Sequence, residues 1–586
     1  MRAAVGATAA LMTLALGCTP EPSDQSPSDG TSTSASSTTS PSSTSSGLDG
    51  STSATSGVTV DGTTDDDSAD DGSESSGGPG CVEPWPPAET FSNPVLWEDL
   101  ADIDIIRVGN EFYYTASNMH YSPGAPILRS FDLVSWEYAG HAVPVLDFGP
   151  AYDLAGGQAY VQGTWASFIN YRPSNETYYW GGCIDFNDTH IYTAPSVEGP
   201  WERQASIDRC YYDGGLLVDD DDTMYIAYGN TTISVAELTP DGTGEVHDQV
   251  VFQTPPEIGT LEGARFYRRE GYYYILLTRP PNAEFVIRSD DPFGPYELRP
   301  MIDVVAAPVP GAGSPHQGGI VDTPLGDWYY MSFIDAFPGG RVPTLAPVTW
   351  TDDGWPTVEL VDGGWGQTYP YPDVPCPPRN VESSLGIDTF DGPQLGHAWE
   401  WNHNPDDARW SFDDGLVLTT ATVTNDLYQA RNTLTRRIRG PESTATIELD
   451  VSGMSDGDRA GLAMLRQTSA SIGVRRSGGS NTVVMVDGMT MDDGWNTSNT
   501  GSVADSSPIA GDSIYLRVHA DIRPGASRTA RFSYSTDGTT FTELGPEFVL
   551  NNQWQFFMGY RFAIFNYATA ALGGQVTVKS FEVTVP

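Results

Sequence analysis

The chain has 586 residues, too many for one hydrophobic core, so two or three domains are expected. Its formal net charge of −48 excludes a nucleic-acid partner and adsorption to anionic lipid, because such a chain cannot neutralise rows of phosphates. The single lysine, Lys579, excludes a P-loop, which needs a Gly-Lys step.

The N-terminus predicts an export signal over residues 1–18. Arg2 supplies the positive charge and Ala3 to Leu16 the apolar segment. The stretch "LALGC" resembles a bacterial lipoprotein signal, in which the cysteine, here Cys18, is lipidated and becomes the new N-terminus. We expect an exported protein, at the cell surface or in the periplasm, that contacts a membrane only through this anchor. The alternative is an ordinary secretory signal cleaved nearby.

Residues 19–82 are predicted to form a flexible linker. The tract 19–80 consists mainly of Ser, Thr, Asp and Gly and contains no aromatic residue, Lys or Arg. Such a segment cannot bury enough apolar surface to offset the entropy of ordering. It therefore predicts a disordered tether between the anchor and a folded body.

An aromatic pattern recurs five times between Cys81 and Cys376. A polar or glycine turn precedes a β-rich run in each copy, and successive copies are 65, 47, 48 and 56 residues apart, counted at Tyr113, Tyr178, Tyr225, Tyr273 and Tyr329. Repeats of roughly 40–50 residues are typical of propeller blades, each a four-stranded sheet. The sequence therefore predicts a five-bladed β-propeller over residues 83–380. A long β-sandwich with coincidental tyrosine pairs is the alternative.

A second all-β domain is predicted after the break "VPCPPRNVESSLG", at residues 374–386. Alternating strands such as "ATIELDVSG" and "SIYLRVHAD" then indicate a β-sandwich over residues 385–586. We expect this sandwich to pack against the propeller, where it can shape one wall of a pocket.

Four cysteines remain after Cys18, and export makes disulfides plausible. Cys183 and Cys210 are close in sequence, whereas Cys81 and Cys376 bracket the propeller segment. Pairing within each of these two sets is a hypothesis, because sequence alone does not fix connectivity.

Three acids precede aromatic repeats at comparable places in successive blades: Asp102, Asp213 and Glu262. Inner strands of a propeller line its axis, so carboxylates at their ends converge on one pocket. Side chains alternate along a strand, so Asp102 and Asp104 are predicted to point the same way. Asp104 is therefore a second candidate for any role given to Asp102. The alternative is a purely structural role, in which these acids only cap turns.

These motifs resemble glycoside hydrolase family 43. The stretches that carry the resemblance are "DIDIIRVGNEFYY", "YDGGLLVDDDDTMYIAYG", "LEGARFYRREGYYYILL" and "SPHQGGIVDTPLGDWYYMSF". The C-terminal stretches "DTFDGPQLGHAWEWNHNP" and "GDRAGLAML" resemble the concanavalin-like sandwich fused to some members. The resemblance covers nearly everything after residue 90. It implies an all-β, five-bladed β-propeller followed by a concanavalin-like β-sandwich.

The resemblance also implies an inverting mechanism that needs no cofactor. Asp102 would be the general base that deprotonates water, and Glu262 the general acid that protonates the departing oxygen. Asp213 would orient Glu262 and raise its pKa by like-charge proximity. In an inverting pair the two carboxyl groups are expected about 6.5–9.5 Å apart, which leaves room for the water.

Further residues are candidates for substrate binding. Arg341 matches a family arginine near the substrate, and its alternative is a structural ion pair. His316, followed by Gln317, matches a histidine near the axis that often lies beside calcium or water, so a structural Ca²⁺ is a further candidate. Trp165 and His120 are expected as pocket walls, although blade cores also need aromatic residues.

The sequence as a whole predicts an exo-acting glycosidase. It would release terminal β-D-xylose or α-L-arabinofuranose from hemicellulose-derived oligosaccharides. The alternatives are an endo-arabinanase, a non-catalytic glycan-binding lipoprotein and a propeller scaffold for protein contacts. The sequence does not choose between the two sugars and does not fix an oligomeric state.

Overall fold

The computed structural model describes residues 81–586. The expected signal peptide, lipidated Cys18 and linker to residue 80 lie outside this range. Within it, no helix is long and apolar enough to cross a membrane.

The first domain is a propeller of five four-stranded antiparallel sheets. The aromatic repeats lie on the second strand of every blade, which confirms the interpretation of the repeat. Blade by blade, the strands are β2 (Asp104–Val108), β3 (Glu111–Thr115), β5 (Gly124–Ser130) and β6 (Glu137–Val143); β7 (Thr164–Arg172), β8 (Thr177–Ile184), β9 (Asp188–Ala194) and β10 (Glu202–Ile207); β11 (Gly215–Val218), β12 (Met224–Asn230), β13 (Thr232–Leu238) and β14 (Glu245–Gln253); β15 (Glu262–Arg269), β16 (Tyr272–Arg279), β17 (Ala283–Ser289) and β18 (Glu297–Asp303); and β19 (His316–Asp322), β20 (Trp328–Asp335), β21 (Arg341–Trp350) and β22 (Pro356–Val358).

The blades close into a ring around their first strands. β2 contacts β7, β7 contacts β11, and the series continues through β15 and β19 back to β2. Apolar side chains fill the spaces between neighbouring blades, as in the cluster of Ile103, Ile105, Tyr330 and Leu345. The starts of all five first strands therefore surround one axial opening.

The two ends of the propeller segment are joined. Strand β1 (Thr90–Ser92) pairs antiparallel with β23 (Thr368–Pro370). A disulfide links Cys81 to Cys376 with 5.7 Å between the Cα atoms, and another links Cys183 to Cys210 at 5.0 Å. These are the two pairings expected from the sequence. Closing a 295-residue span restricts the unfolded chain and so favours the folded ring.

The second domain is a sandwich of a nine-stranded and an eight-stranded sheet around an apolar core. The first contains β24 (Gly386–Asp388), β26 (Trp410–Phe412), β27 (Leu416–Thr419), β29 (Glu442–Asp450), β34 (Ser513–Asp521), β35 (Thr529–Ser535), β36 (Thr542–Glu543), β37 (Phe548–Val549) and β39 (Gln575–Thr584). The second contains β25 (Trp399–Asn402), β28 (Leu434–Arg437), β30 (Asp458–Leu465), β31 (Thr468–Ser477), β32 (Ser480–Met491), β33 (Thr497–Ile509) and β38 (Arg561–Ala568), together with one strand from the propeller.

That shared strand is β4 (Tyr121–Ser122), which leaves blade 1 between β3 and β5. Trp401 pairs with Ser122 and Asn402 with Tyr121, so the propeller supplies the last strand of the eight-stranded sheet. Four short 3-10 turns complete the described structure: Pro150–Asp153, Asp407–Arg409, Leu427–Gln429 and Trp554–Phe556. The fold class predicted from the sequence, a five-bladed propeller followed by a concanavalin-like sandwich, is confirmed.

Candidate active site

A cavity of about 730 Å³ opens where the first strands of the five blades begin. Every blade contributes a residue at or just before its first strand, and the sandwich contributes part of the wall. The blade residues are Asp102, Trp165, Asp213, Glu262, His316 and Gln317, and Arg341 adds the start of β21. The cavity therefore brings together seven of the eight predicted catalytic and substrate-binding residues.

Backbone geometry turns the acidic side chains toward the cavity. Asp102, Asp213 and Gln317 have φ angles of +59°, +48° and +45°, in the left-handed region. Glu262 is followed by Gly263 at φ +72°, and the pairing of β15 with β16 is irregular between Glu262 and Arg265. Left-handed residues and bulges re-aim side chains, and such strained positions cluster at functional sites.

This geometry corrects the expectation that Asp102 and Asp104 point the same way. The left-handed backbone at Asp102 breaks the alternation before β2 begins. The Oδ2 atom of Asp104 accepts a hydrogen bond from the backbone N–H of Ile169 at 2.9 Å, and its Oδ1 atom lies 3.5 Å from Nε of Arg265. Asp104 does not line the cavity. It is therefore an internal partner of Arg265, and of these two acids only Asp102 lines the cavity.

Arg265 ties together the strand starts that bear the three acids. Its guanidinium is fully buried and donates to the carbonyls of Asp102, Ile103, Gly214 and Ala264 at 2.9–3.0 Å. These carbonyls lie in blades 1, 3 and 4, within two residues of an acid. The sequence analysis missed this role. An arginine inside the apolar run "LEGARFY" was the available signal, because a charge there needs buried partners.

Asp102 is held through both carboxylate oxygens. Nη1 of Arg341 donates to Oδ1 at 2.7 Å, and the hydroxyl of Ser117 donates to Oδ2 at 2.6 Å. Burial opposes the charge on Arg341, but the surrounding carboxylates of Asp102, Asp99 and Asp335 raise the pKa of its guanidinium. Arg341 therefore stays charged, and its role as a partner of an acid is visible directly.

Glu262 lies across the cavity in a different environment. Its Oε2 atom accepts hydrogen bonds from the amide of Asn230 and, at 3.3 Å, from the hydroxyl of Tyr212. Burial and the nearby carboxylate of Asp102 raise the pKa of Glu262, against the opposing effect of these two donors. A raised pKa keeps a proton available, which is what a general acid needs.

Asp213 carries the stronger perturbation of this pair. Its carboxylate accepts no hydrogen bond from the described residues. Burial, followed by repulsion from Glu262 and Asp102, raises the pKa of Asp213 well above its usual range. From the sequence, repulsion by Asp213 was expected to raise the pKa of Glu262. Because the two groups interact, they titrate as a pair, and their upper pKa belongs to both.

The remaining predicted residues divide between wall and interior. His316 packs edge-on against Phe333 with ring centroids 4.5 Å apart, and burial lowers the pKa of its imidazole. Gln317 donates its backbone N–H to the buried carboxyl of Glu284 at 3.0 Å. Trp165 forms a wall, as expected, and faces Phe557 of the sandwich at 4.9 Å between ring centroids.

His120 does not form a wall, contrary to the sequence-based expectation. It is fully buried between the domains, where its Nδ1 atom accepts from the backbone N–H of Val161 and its ring lies against those of Tyr160 and His403. The physical reason is that β4 carries this segment away from blade 1 to the sandwich. Burial lowers the pKa of His120 well below its usual value.

The candidate calcium site finds little support in the side chains. Ca²⁺ takes six to eight oxygen ligands. Within residues 81–586, the only three His, Cys, Asp or Glu side chains that come close enough to share an ion are Cys81, Glu83 and Cys376, and both cysteines are in a disulfide. Backbone carbonyls and waters also bind Ca²⁺, so a Ca²⁺ beside His316 stays a prediction, and no step is assigned to a metal.

The sandwich closes one side of the cavity. Phe557 and the exposed Trp554, together with Gly525 and Asn552, contribute to the wall, and Phe186 lies at the mouth on the propeller side. No sequence signal identified these sandwich residues, because their approach to the axis depends on how the domains dock.

Comparison with known proteins identifies the family of both domains. The model of Glycosyl hydrolases family 43 matches residues 91–356, and that of the beta xylosidase C-terminal concanavalin A-like domain matches residues 387–584. A beta-xylosidase of Formosa agariphila is 29% identical over 84% of this chain and 90% of its own length. A putative beta-xylosidase of Xylanibacter ruminicola is 30% identical over 66% of this chain and 73% of its own.

One solved structure is more similar still. It is 48% identical, superposes with a TM-score of 0.83, and covers 85% of this chain and all of its own. It is described as a GH43 glycoside hydrolase whose engineered active site displays both endo-xylanase and exo-arabinofuranosidase activity. With the axial acids, the propeller and the sandwich in agreement, this chain belongs to glycosyl hydrolase family 43 and is a glycoside hydrolase.

Proposed function

We propose that the protein is an exo-acting, inverting hydrolase that releases terminal α-L-arabinofuranose from hemicellulose-derived chains. The observation that carries the proposal is the convergence of Asp102, Asp213 and Glu262 on one cavity, in which one acid has a charged donor and another has a raised pKa. Arabinose comes before xylose because the 48% identical structure is described with exo-arabinofuranosidase activity.

The residues divide the reaction between two sides of the cavity. Asp102 accepts a proton from water, whose oxygen attacks the anomeric carbon. Glu262 gives its proton to the glycosidic oxygen as the carbon–oxygen bond breaks, so the aglycone leaves as a neutral alcohol. The products are a sugar of inverted configuration, Asp102 protonated and Glu262 ionised. Repulsion between Asp213 and Glu262 raises the upper pKa of the pair, which favours a proton on the acid.

The cavity shape favours exo action. Trp165 from the propeller and Phe557 from the sandwich both line the cavity, with ring centroids 4.9 Å apart, so the docked sandwich narrows the cavity on this side. An endo-arabinanase needs a groove that is open at both ends. Exposed Trp554 and Phe186 at the mouth can stack on sugar rings of the aglycone, because aromatic faces pack against C–H surfaces.

The test compares wild type with Glu262→Gln on the p-nitrophenyl α-L-arabinofuranoside. Proton NMR during early turnover of the wild type should show the β-anomer of arabinose first, and the variant should lose about 10²- to 10⁴-fold in kcat/KM on unactivated oligosaccharides. Appearance of the α-anomer first would contradict inversion. Cleavage of linear arabinan without activity on the aryl glycoside would favour the endo alternative, and affinity without turnover would favour a binding protein.

β-D-Xylosidase activity is the second candidate. It is favoured by the relatives of Formosa agariphila and Xylanibacter ruminicola, which are named beta-xylosidases. The ratio of kcat/KM for the β-D-xyloside and the α-L-arabinofuranoside decides between the two sugars.

The lipid anchor is part of the same proposal. Cys18→Ser should move the protein from the membrane fraction to the soluble fraction. An unchanged distribution would favour a secretory signal cleaved at another bond.

A further inference from the structure

Asp99 lies where three segments meet: the loop before Asp102, the hairpin before Arg341, and residues 557–560 of the sandwich. We propose that Asp99 is a positioning residue for the catalytic base, and that the sandwich uses it to fix the orientation of Asp102. The inference rests on the proposed function, in which Asp102 is the base.

The two carboxylate oxygens of Asp99 accept hydrogen bonds from different domains. Oδ1 accepts the backbone N–H of Arg341 at 2.8 Å, at the start of β21. Oδ2 accepts the backbone N–H of Gly559 in the sandwich at 2.9 Å. The side chain is buried, so both hydrogen bonds are shielded from water. One carboxylate thus fixes the propeller hairpin to the sandwich.

Arg341, the hairpin residue whose backbone Asp99 binds, also holds Asp102 through its side chain. The guanidinium of Arg341 donates through Nη1 to Asp102 at 2.7 Å and through Nη2 to the Ser117 hydroxyl at 3.3 Å. Its Nε atom donates to the backbone carbonyl of Phe557 at 3.0 Å. Asp99 and Phe557 therefore hold the backbone and the side chain of Arg341 against the sandwich, while its tip points at Asp102.

The backbone is tightly packed where the hairpin before Arg341 meets the sandwich, and we call this contact the junction. A Cβ atom on Gly340 would lie 2.2 Å from Oδ1 of Asp99, and one on Gly559 would lie 2.4 Å from the carbonyl oxygen of Gly339. Gly340 also has φ +96°, which favours glycine. Such close backbone approach means that a shift of the sandwich moves the hairpin and Arg341 with it.

Hydrogen bonds also hold the backbone at Asp99 and Leu100. Its carbonyl oxygen accepts Nε of Arg437 from the sandwich at 2.7 Å, and the backbone N–H of Leu100 donates to the carbonyl of Arg341 at 2.9 Å. Asp99 precedes Asp102 by three residues in the same loop. The loop that carries the base, the arginine that orients it and the sandwich therefore form one connected unit.

Asp99→Asn keeps the size of the side chain but removes one acceptor. Its amide N–H₂ would face either the N–H of Arg341 or that of Gly559, so one of the two hydrogen bonds is lost. A misplacement of about 1 Å in a catalytic group can cost about 100-fold in rate. We expect kcat to fall about 10- to 100-fold while KM stays within about twofold, because Arg341 and the cavity wall remain present.

Gly559→Ala tests the sandwich side of the junction without changing Asp99. Asp153→Asn is the matched control, since Asp153 also links the domains, accepting from Asn404 and Arg431 of the sandwich at 3.1 and 3.3 Å, but has no contact with Arg341. Asp99→Asn in an Arg341→Ala background completes a double-mutant cycle. All rates are normalised to the folded fraction from thermal unfolding.

Base misplacement has a signature that damage to the general acid lacks. It should lower kcat by the same factor on the p-nitrophenyl and the unactivated glycoside, because both need an activated water, whereas damage to Glu262 would spare the activated one. We expect this pattern in Asp99→Asn and Gly559→Ala, unchanged rates in Asp153→Asn, and no further loss from Asp99→Asn once Arg341 is Ala.

The inference is overturned if Asp99→Asn and Gly559→Ala retain wild-type kcat, or if Asp99→Asn costs the same factor with and without Arg341. A wild type that hydrolyses neither glycoside would overturn the proposed function and this inference with it. An active wild type with unaffected variants would overturn this inference alone.

Discussion

Two buried acidic clusters in this molecule behave in opposite ways. At the domain interface, Glu400 is fully buried and accepts from Arg437 at 2.8 Å, from His141 at 3.2 Å and from Arg561. Burial opposes its charge, but these partners hold the pKa of Glu400 well below its usual range. In the axial cavity, Asp213 has no such donor among residues 81–586, and its pKa is raised well above its usual range.

The difference shows that burial alone does not mark a functional acid. Glu400 has two arginines and a histidine as partners. Its charge stabilises the contact between sandwich strands and the propeller. Asp213 and Glu262 line a cavity and lie close to other carboxylates. Their mutual repulsion lowers the stability of the fold, but it raises their pKa values and so favours a proton that catalysis can use. The presence or absence of charged partners separates the two cases, and both can be tested by removing one carboxylate.

The largest effect should come from Glu262→Gln. Loss of the general acid should lower kcat/KM on unactivated oligosaccharides about 10²- to 10⁴-fold. The melting temperature should stay level or rise, because Gln keeps the size of the side chain and ends the repulsion that raises the pKa values of Glu262 and Asp213. Steady-state kinetics and calorimetry on one preparation measure both. A clear fall in melting temperature with retained activity would reverse the assignment.

Glu400→Gln should do the opposite. Removing one partner of a buried ion pair typically costs about 3–5 kcal/mol, because Arg437 and Arg561 are left in the interior without a counter-charge. Denaturant unfolding should show this loss in the free energy of unfolding. A variant as stable as wild type would mean that the two arginines find other acceptors.

Asp213→Asn should move the pH profile. With Asp213 present, the pair loses its last proton at a raised upper pKa; with Asn, Glu262 titrates without that repulsion and so at lower pH. The alkaline limb of kcat/KM should therefore shift to lower pH, in addition to a fall in rate. A limb that stays in place would mean that the two carboxyls do not share their titration.

The smallest effect is expected at an exposed pair. Arg203 and Asp147 form a bidentate ion pair at 2.8 and 2.9 Å, with their side chains 35% and 56% exposed. Arg203→Ala should change the free energy of unfolding by less than about 1 kcal/mol and leave activity unchanged, because water replaces the partner. A larger loss of stability would indicate that the pair also carries packing between blades.

The sequence predicted what depends on local pattern. Tyr113 and its four counterparts located the second strand of each blade, because turn residues followed by aromatic runs are local signals. The three acids were found from their places before the repeats, whereas their roles and Arg341 came from the resemblance, and the structure places all four residues around one cavity.

What failed depended on backbone strain or on distant residues. The alternation assumed for Asp102 and Asp104 needs an extended backbone, and φ is +59° at Asp102. His120 was misplaced because its segment pairs with Trp401 and Asn402, which are far away in sequence. The contributions of Phe557 and Gly559 require the docked sandwich, for which no local pattern codes.

The short strand β4 has a consequence for how this protein can be taken apart. Tyr121–Ser122 ends a sheet whose other strands all come from the sandwich. A sandwich expressed alone would expose the backbone of Trp401 and Asn402 as an open edge, which invites pairing with other chains. Recombination that exchanges one domain for a homologue must therefore also exchange residues near 121, so the two domains are expected to be inherited as a single cassette.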